Sequence, residues 1–395
     1  MTVATVSTPP TDTPQQNAAP AAGLRFTIAS RQQRRYSNVQ TVSNLAGPTS
    51  FMPIQLPATG WVRKISMLFT ASTTAASAGA VVAGDGPYNL VSGITLTDAT
   101  GQPIFQPISG FNLRLKNKYS SVGSIDSNHP SPWVDPMMGP EYAYASTATA
   151  GTATFRLDID LEQDVNTGYG CIPNLDSNAS LQLKIDVAPY NVAFAGTSVT
   201  AASLAVRVTS WYWAPIGSSV GGVPAQSQPV GFGDYLETRY ETFTATAGAE
   251  NTFNLTNRGG LIKSLIVVSR NAGARTDFVA GSNVGLILDN NPIDEGIPIE
   301  EHKDWLRRVY GYIGADLTSA YTPLTPGVVP GLDRGVLVWP FHANSGGRDS
   351  WLNTRVGSLL QLKLTPGTGA TFLEVITELM QVKDAGAFYN PSALD

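Results

Sequence analysis

The chain has 395 residues, with 25 Lys plus Arg against 30 Asp plus Glu, a net charge of −5 and only 14% charged residues. At 42% hydrophobic residues it can fill a core, which excludes a wholly disordered chain, and 38 Gly with 27 Pro exclude a coiled coil. A single cysteine, Cys171, excludes an intrachain disulfide and a multi-cysteine zinc site, and reads as a small buried hydrophobe. No apolar run of about 18 residues predicts a membrane-spanning helix. No charged-then-apolar leader opens the chain, which predicts synthesis and assembly in a cytoplasm.

Residues 1–23 are rich in Thr, Pro, Ala and Gln and hold no aromatic residue. Such a stretch buries too little to offset its ordering entropy, so a flexible arm is expected. Then Leu24, Phe26 and Ile28 alternate with polar residues, and Arg25, Arg31, Arg34 and Arg35 cluster. Basic residues gathered at one end of an acidic chain point to an anionic surface or a neighbouring subunit. These four arginines are therefore the candidate membrane- or partner-facing residues of an arm over residues 1–47. A helix over Ser30–Tyr36 would put Arg31, Arg34 and Arg35 on one face.

From residue 48 to 216, short β segments are cut by Gly, Pro, Asn and Asp. The cleanest is Phe155–Leu161, with Phe155, Leu157, Ile159 and Leu161 predicted inward and Arg156, Asp158 and Asp160 toward water, which screens the two carboxylates. Residues 217–231 are rich in Gly and Pro and carry no charge, which reads as a linker. A second β unit then runs over 232–385, followed by a tail at 386–395.

The second unit repeats the first. Leu56–Phe69 lies over Leu255–Val268 at an offset of 199 residues, setting Gly60 on Gly259 and Lys64 on Lys263. Gly93–Leu96 lies over Gly285–Leu288 at 192, and Leu181–Ile185 over Leu360–Leu364 at 179. Several short matches in one order mark a duplication. Each copy also has an amphipathic stretch, which predicts helices near 108–118 and 299–311. In the second, Glu300 and Glu301 at the start and Arg307 and Arg308 at the end suit the helix dipole, and Asp304 pairs with Arg308. Trp305, Leu306 and Val309 are expected to pack inward. An eight-stranded, two-sheet unit of this length is a jelly roll, so the fold class expected is all-β: two tandem eight-stranded jelly rolls with short helices.

Chemistry-bearing groupings are sparse. His129, His302 and His342 are far apart, without a second imidazole beside any of them, so a cupin-type metal site is not expected. Neither a nucleophile elbow nor a phosphate loop occurs. Asp289–Gly296 reads as a turn, because it lacks ion-loop spacing and Pro292 interrupts it. Trp211-Tyr212-Trp213, just before the linker, suits packing between the units. No enzyme, cofactor or metal site is predicted, and no sequence-specific nucleic-acid binding.

One stretch, Gly86–Leu115, carries a likeness: Gly86-Pro87, Asn89-Leu90, the Asp98–Gly101 turn, and Ser109-Gly110-Phe111 opening a helix. With the duplication and the basic arm, it resembles the double jelly-roll major capsid proteins of tectivirus-like, membrane-containing icosahedral phages, the adenovirus hexon lineage. The likeness spans about residues 25–385 as architecture and this stretch as sequence. It implies a homotrimer whose six jelly rolls form a pseudo-hexagonal tile, and a virion shell of such trimers. It also implies minor capsid or penton partners and an N-terminal region near an internal lipid membrane. Low charge suits extensive protein–protein contact. Two other classes fit a β-sandwich: a carbohydrate- or receptor-binding spike or adhesin, and a hydrolase.

Overall fold

The computed structural model describes residues 24–73, 81–82, 85–98, 100–120, 138–143, 151–195, 202–215, 217, 219–231, 233–314, 317–318, 328–329, 333–343 and 350–381. In the first half, one antiparallel sheet has the order Ser30–Tyr36, Ala202–Pro215, Gly60–Thr73, Gly151–Asp160, Met138–Ala143. The sheet packed against it joins Thr49–Ser50 and Ile54–Gln55 to Gln182–Val187, then Val91–Thr97, then Pro103–Ile108. The second half repeats this order. Its large sheet runs Tyr235–Thr244, Phe372–Gln381, Leu261–Asn271, Val336–Pro340. Its small sheet runs Asn251–Leu255, Leu360–Leu364, Asn283–Leu288, Asn291–Pro298. The same element sequence, twice, makes two tandem jelly rolls.

Period-two burial builds each core. Ile65, Met67 and Phe69 meet Phe155, Leu157 and Ile159 across the large sheet and pack on Leu183, Ile185 and Val187 of the small one. Leu265, Val267, Leu373 and Val375 meet Leu360, Leu362 and Leu364 in the second unit. Leu261–Asn271 breaks the alternation, since every residue but its last is buried. Its outward residues Ile266 and Val268 join the first unit's core cluster, together with Val336, Val338 and Ile376. A strand covered on both faces loses the half-polar pattern.

Two helices follow equivalent hairpins. The wedge helix, Gly110–Ser120, is buried at every residue except Lys118, which is nearly so. The Ser109 side chain caps it by accepting from the Asn112 N–H at 3.2 Å. Gly110 is fixed by packing: a Cβ there would lie 2.3 Å from the Tyr88 carbonyl oxygen and 2.9 Å from Val91 Cβ. The Asp98 turn closes on itself through Asp98 Oδ1, which accepts from Thr100 and Gln102 N–H at 2.8 and 2.9 Å. The outer helix, Ile299–Tyr310, ends on Gly311 at φ 63°. It packs down through Ile299, His302 and Leu306, whereas Trp305 and Val309 point outward, contrary to the expected face.

The register of the duplication is 200 residues on the central strands, one more than the sequence match. Gly60 and Gly260 are the equivalent glycines: a Cβ on either would strike a carbonyl oxygen, Trp213 O at 2.3 Å or Met380 O at 2.4 Å. Both strands then bulge, at Arg63 and at Lys263, so Lys64 corresponds to Ser264. Lys64 and Lys263 match by identity but not by place. In the small sheets, aligning Gly93 with Gly285 sets Leu183, not Leu181, on Leu360, because each stands opposite the equivalent leucine, Leu96 or Leu288.

Two boundaries also move. The first sandwich begins at Ser30, not 48, because Ser30–Tyr36 and Gln40–Ser43 pair with Ala202–Pro215. Within the linker, Ser219–Val220 and Val223–Pro224 form a small hairpin turning on Gly221 and Gly222, both at positive φ. It is tied to the arm, with Leu24 N–H donating to Pro224 O at 2.8 Å and Gln226 N–H to Leu24 O at 3.0 Å.

Candidate functional site

The wedge helix carries three cations, Arg114, Lys116 and Lys118, into the seam between the two sandwiches. Arg114 pairs with Asp333 at 3.1 Å with both side chains all but fully buried, and Lys118 pairs with the same carboxylate. Asp333 also accepts the Ile313 N–H at 2.8 Å. Burial alone would raise the Asp333 carboxyl, but the charges of Lys118 and Arg114 outweigh it and hold the pKa at about 2. Lys116 reaches Glu378 at 3.1 Å and donates to Thr238 Oγ1 at 2.9 Å. Ser264 donates to Glu378 at 2.5 Å, and Lys263 donates to Gln163 of the first unit at 2.7 Å. Burial works against the charged Glu378, yet the Lys116 and Lys263 charges keep its pKa low. At the other end of the seam, Asp85 of the first unit bridges Arg270 and Arg275 of the second at 2.6 Å each. The Phe111 ring lies 5.5 and 4.8 Å from those guanidinium carbons.

The arrangement fastens the two sandwiches together. Its carboxylates are matched by cations, and in each pair the acid and the cation come from different elements. Buried pairs of this kind hold a geometry more than they add net stability, while removing one partner leaves a bare buried charge.

The four predicted arginines are not brought together on one face. Arg25 opens a turn in which Ala29 N–H bonds back to Arg25 O at 3.1 Å. Ser30–Tyr36 is a strand, not a helix, because it completes the edge of the large sheet. Period two therefore puts Arg31 and Arg35 on one face and Arg34 on the other. Arg34 stacks on Trp211 at 3.9 Å and donates to the Tyr36 hydroxyl at 2.9 Å. Phe26 turns inward, edge-on to Trp61 at 5.9 Å, in a cluster with Cys171 and Trp213. The Cys171 thiol is buried, and burial with nearby Glu162 pushes its pKa well up.

Other expected groups resolve as structural. Trp213 does not lie between the sandwiches: its indole donates to Glu162 at 2.6 Å, at the end of the first unit. Asp158 and Asp160 are held by Lys64 at 2.7 and 3.1 Å rather than screened by water. Asp289-Asn290, both at positive φ, turn a hairpin. His302 Nε2 lies 2.9 Å from Val338 O, and burial lowers its pKa. Burial and the Lys263 charge lower His342 to about 4. His129 lies outside the described residues. Among the described residues, no three His, Cys, Asp or Glu side chains gather to hold a metal ion. Sequence reasoning missed Asp333 and Glu378; the signal available was three cations on one short helix.

No protein-family model matches the chain, and no curated protein matches it in sequence. Solved structures do match, over nearly the full length of both chains. The STIV MCP aligns with TM-score 0.59 at 13% identity, covering 89% of this chain and 97% of that one. A chain of the Sulfolobus turreted icosahedral virus structure aligns with TM-score 0.62 at 14% identity, over 92% and 95%. This chain has the fold of the double jelly-roll capsid proteins. The PBCV-1 virus capsid gives TM-score 0.56 at 11% identity, over 89% and 94%. The double jelly roll of this protein thus persists where sequence identity has fallen to background, and it accounts for both sandwiches.

Proposed function

We propose that this double jelly-roll protein is the major capsid protein of an icosahedral virion, acting as a non-catalytic homotrimer that tiles the shell. The observation that carries the reading is the repeated strand order, with a helix locked between the copies, aligned over nearly the whole length of viral capsid chains. Two sandwiches held rigidly per chain give a three-chain ring six similar lobes, and a heterologous ring buries exposed edges. Minor capsid or penton proteins complete the shell, and the chain is synthesised and assembled in the host cytoplasm. Electron microscopy of the purified chain tests this: six-lobed, threefold particles are expected, and single two-lobed particles at micromolar concentration contradict it.

The arm is the proposed inner contact, with an internal membrane beneath the tile. Arg31 and Arg35, exposed on one face of the edge strand, and Arg25 beside it are the residues offered to anionic lipid, each contributing about 1 kcal/mol near such a surface. Flotation with anionic liposomes at low salt is expected for the parent and lost on changing Arg31 and Arg35 to Ser. A parent that never floats confines the arm to contacts between subunits.

A further inference from the structure

Inside the chain, the wedge helix of the first unit is received by the outward face of the second large sheet. The ladders identify the matching patch on the first large sheet. Ser264 and Glu378 face each other directly beyond the bulge, as Lys64 and Trp211 do. Thr238 stands across from Glu378, as Arg34 stands across from Trp211. The patch that receives Lys116 and Ser120 in the second sheet therefore has its counterpart at Arg34, Trp211 and Lys64 in the first.

The helices can be matched in the same way. The Asn117 amide donates to Asp158 O at 2.7 Å, and His302 Nε2 lies 2.9 Å from Val338 O. Asp158 and Val338 are equivalent rungs, opposite Ser66 and Ile266. Setting His302 on Asn117 places Glu301 where Lys116 stands and Trp305 where Ser120 stands. Lys116 meets an acid, Glu378. Lys116 also donates to Thr238, whose counterpart is Arg34, so Glu301 at its place would meet a cation where Lys116 meets a hydroxyl, with Trp211 standing where Glu378 does.

Both surfaces reach solvent in the single chain, with Trp211 and Lys64 half-buried in the sheet face. Trp305 is 38% exposed and Val309 36%, beside the exposed Glu300, Glu301 and Asp304. Opposite them in kind, Tyr36 is 62% exposed and Arg34, Arg156 and Arg207 are exposed on the sheet face. We propose that the outer helix docks on the first large sheet of a second copy, with Glu301 pairing with Arg34 and Trp305 seated by Trp211 and Lys64. This repeats between chains the contact that the wedge helix makes within one. It rests on the self-assembling shell reading. Each copy then offers one helix and one sheet, so the contact is heterologous, and in the proposed trimer three such contacts close the ring.

Charge reversal tests the pair in the full chain. Glu301→Arg and Arg34→Glu should each weaken self-association about tenfold, and the double variant should recover most of that loss. Trp305→Ala should weaken it without lowering the melting temperature of the isolated chain. A crosslink gives an independent readout, because Cys171 is buried and does not compete. Oxidising a mixture of Glu301→Cys and Arg34→Cys chains should give disulfide-linked dimers, and either chain alone should not. A parent trimer that ignores both reversals and yields no mixed crosslink overturns this contact and leaves the shell reading standing. A parent that stays monomeric overturns both.

Discussion

Replacing Asp333 with alanine should cost about 3–5 kcal/mol of stability, since it strips the common partner from two buried cations. Arg114 and Lys118 both end on this one carboxylate, with Asp333 at 0% side-chain exposure. Neither cation can return to water without the wedge helix leaving the seam. The loss should therefore appear as separation of the two sandwiches before either unfolds. Urea unfolding followed by tryptophan fluorescence and by limited proteolysis across 217–231 reads both events. A variant within 1 kcal/mol of the parent, with unchanged cleavage, would show that the seam is not held by this pair. Asp333→Asn keeps the shape and an acceptor for the Ile313 N–H but not the charge, so it should lose nearly as much.

Acidification should weaken the fold in two steps. The first belongs to His342, which burial and the neighbouring Lys263 charge lower from 6.5 to about 4. Because the unfolded chain takes up this proton first, stability falls as the pH drops from 6.5 toward 4, by about 3 kcal/mol. His302, also lowered by burial, adds in the same direction. The second step belongs to Asp333, lowered from 3.8 to about 2 by Lys118 and Arg114 against the opposing effect of burial. Its contribution is fully present above pH 3.8 and is lost as pH falls through 2. Denaturation curves at pH 7, 5.5 and 4 check the first step, and His342→Gln should flatten the decline. Parent and variant falling in parallel would remove His342 from the account.

The duplication was legible because strand cores need apolar residues at period two, and both copies kept them. The amphipathic stretch places the wedge helix within two residues of Gly110–Ser120, where the Ser109 cap and the close approach at Gly110 fix its start. Register was harder. Lys64 and Lys263 look equivalent, yet a bulge at Arg63 and at Lys263 shifts the true match by one, and a bulge has no signature in the residues. The arm misled for a similar reason. Arg31, Arg34 and Arg35 fit a helix face, but the open edge of Ala202–Pro215 supplied hydrogen bonds that no local propensity records. Asp333 and Glu378 lie more than 200 residues from the wedge-helix cations they meet, so only the assembled chain shows the seam. Hydrophobicity alone puts Trp305 and Val309 inward, and their outward turn is what exposes the contact face on the outer helix.

In the proposed shell tile, two copies of one jelly roll, locked by a charged helix, close in threes. Light scattering of the full chain at micromolar concentration measures it directly. Three chains of 41.8 kDa predict a particle of about 125 kDa that holds its mass on dilution. A mass near that of one chain across the concentration range would contradict it.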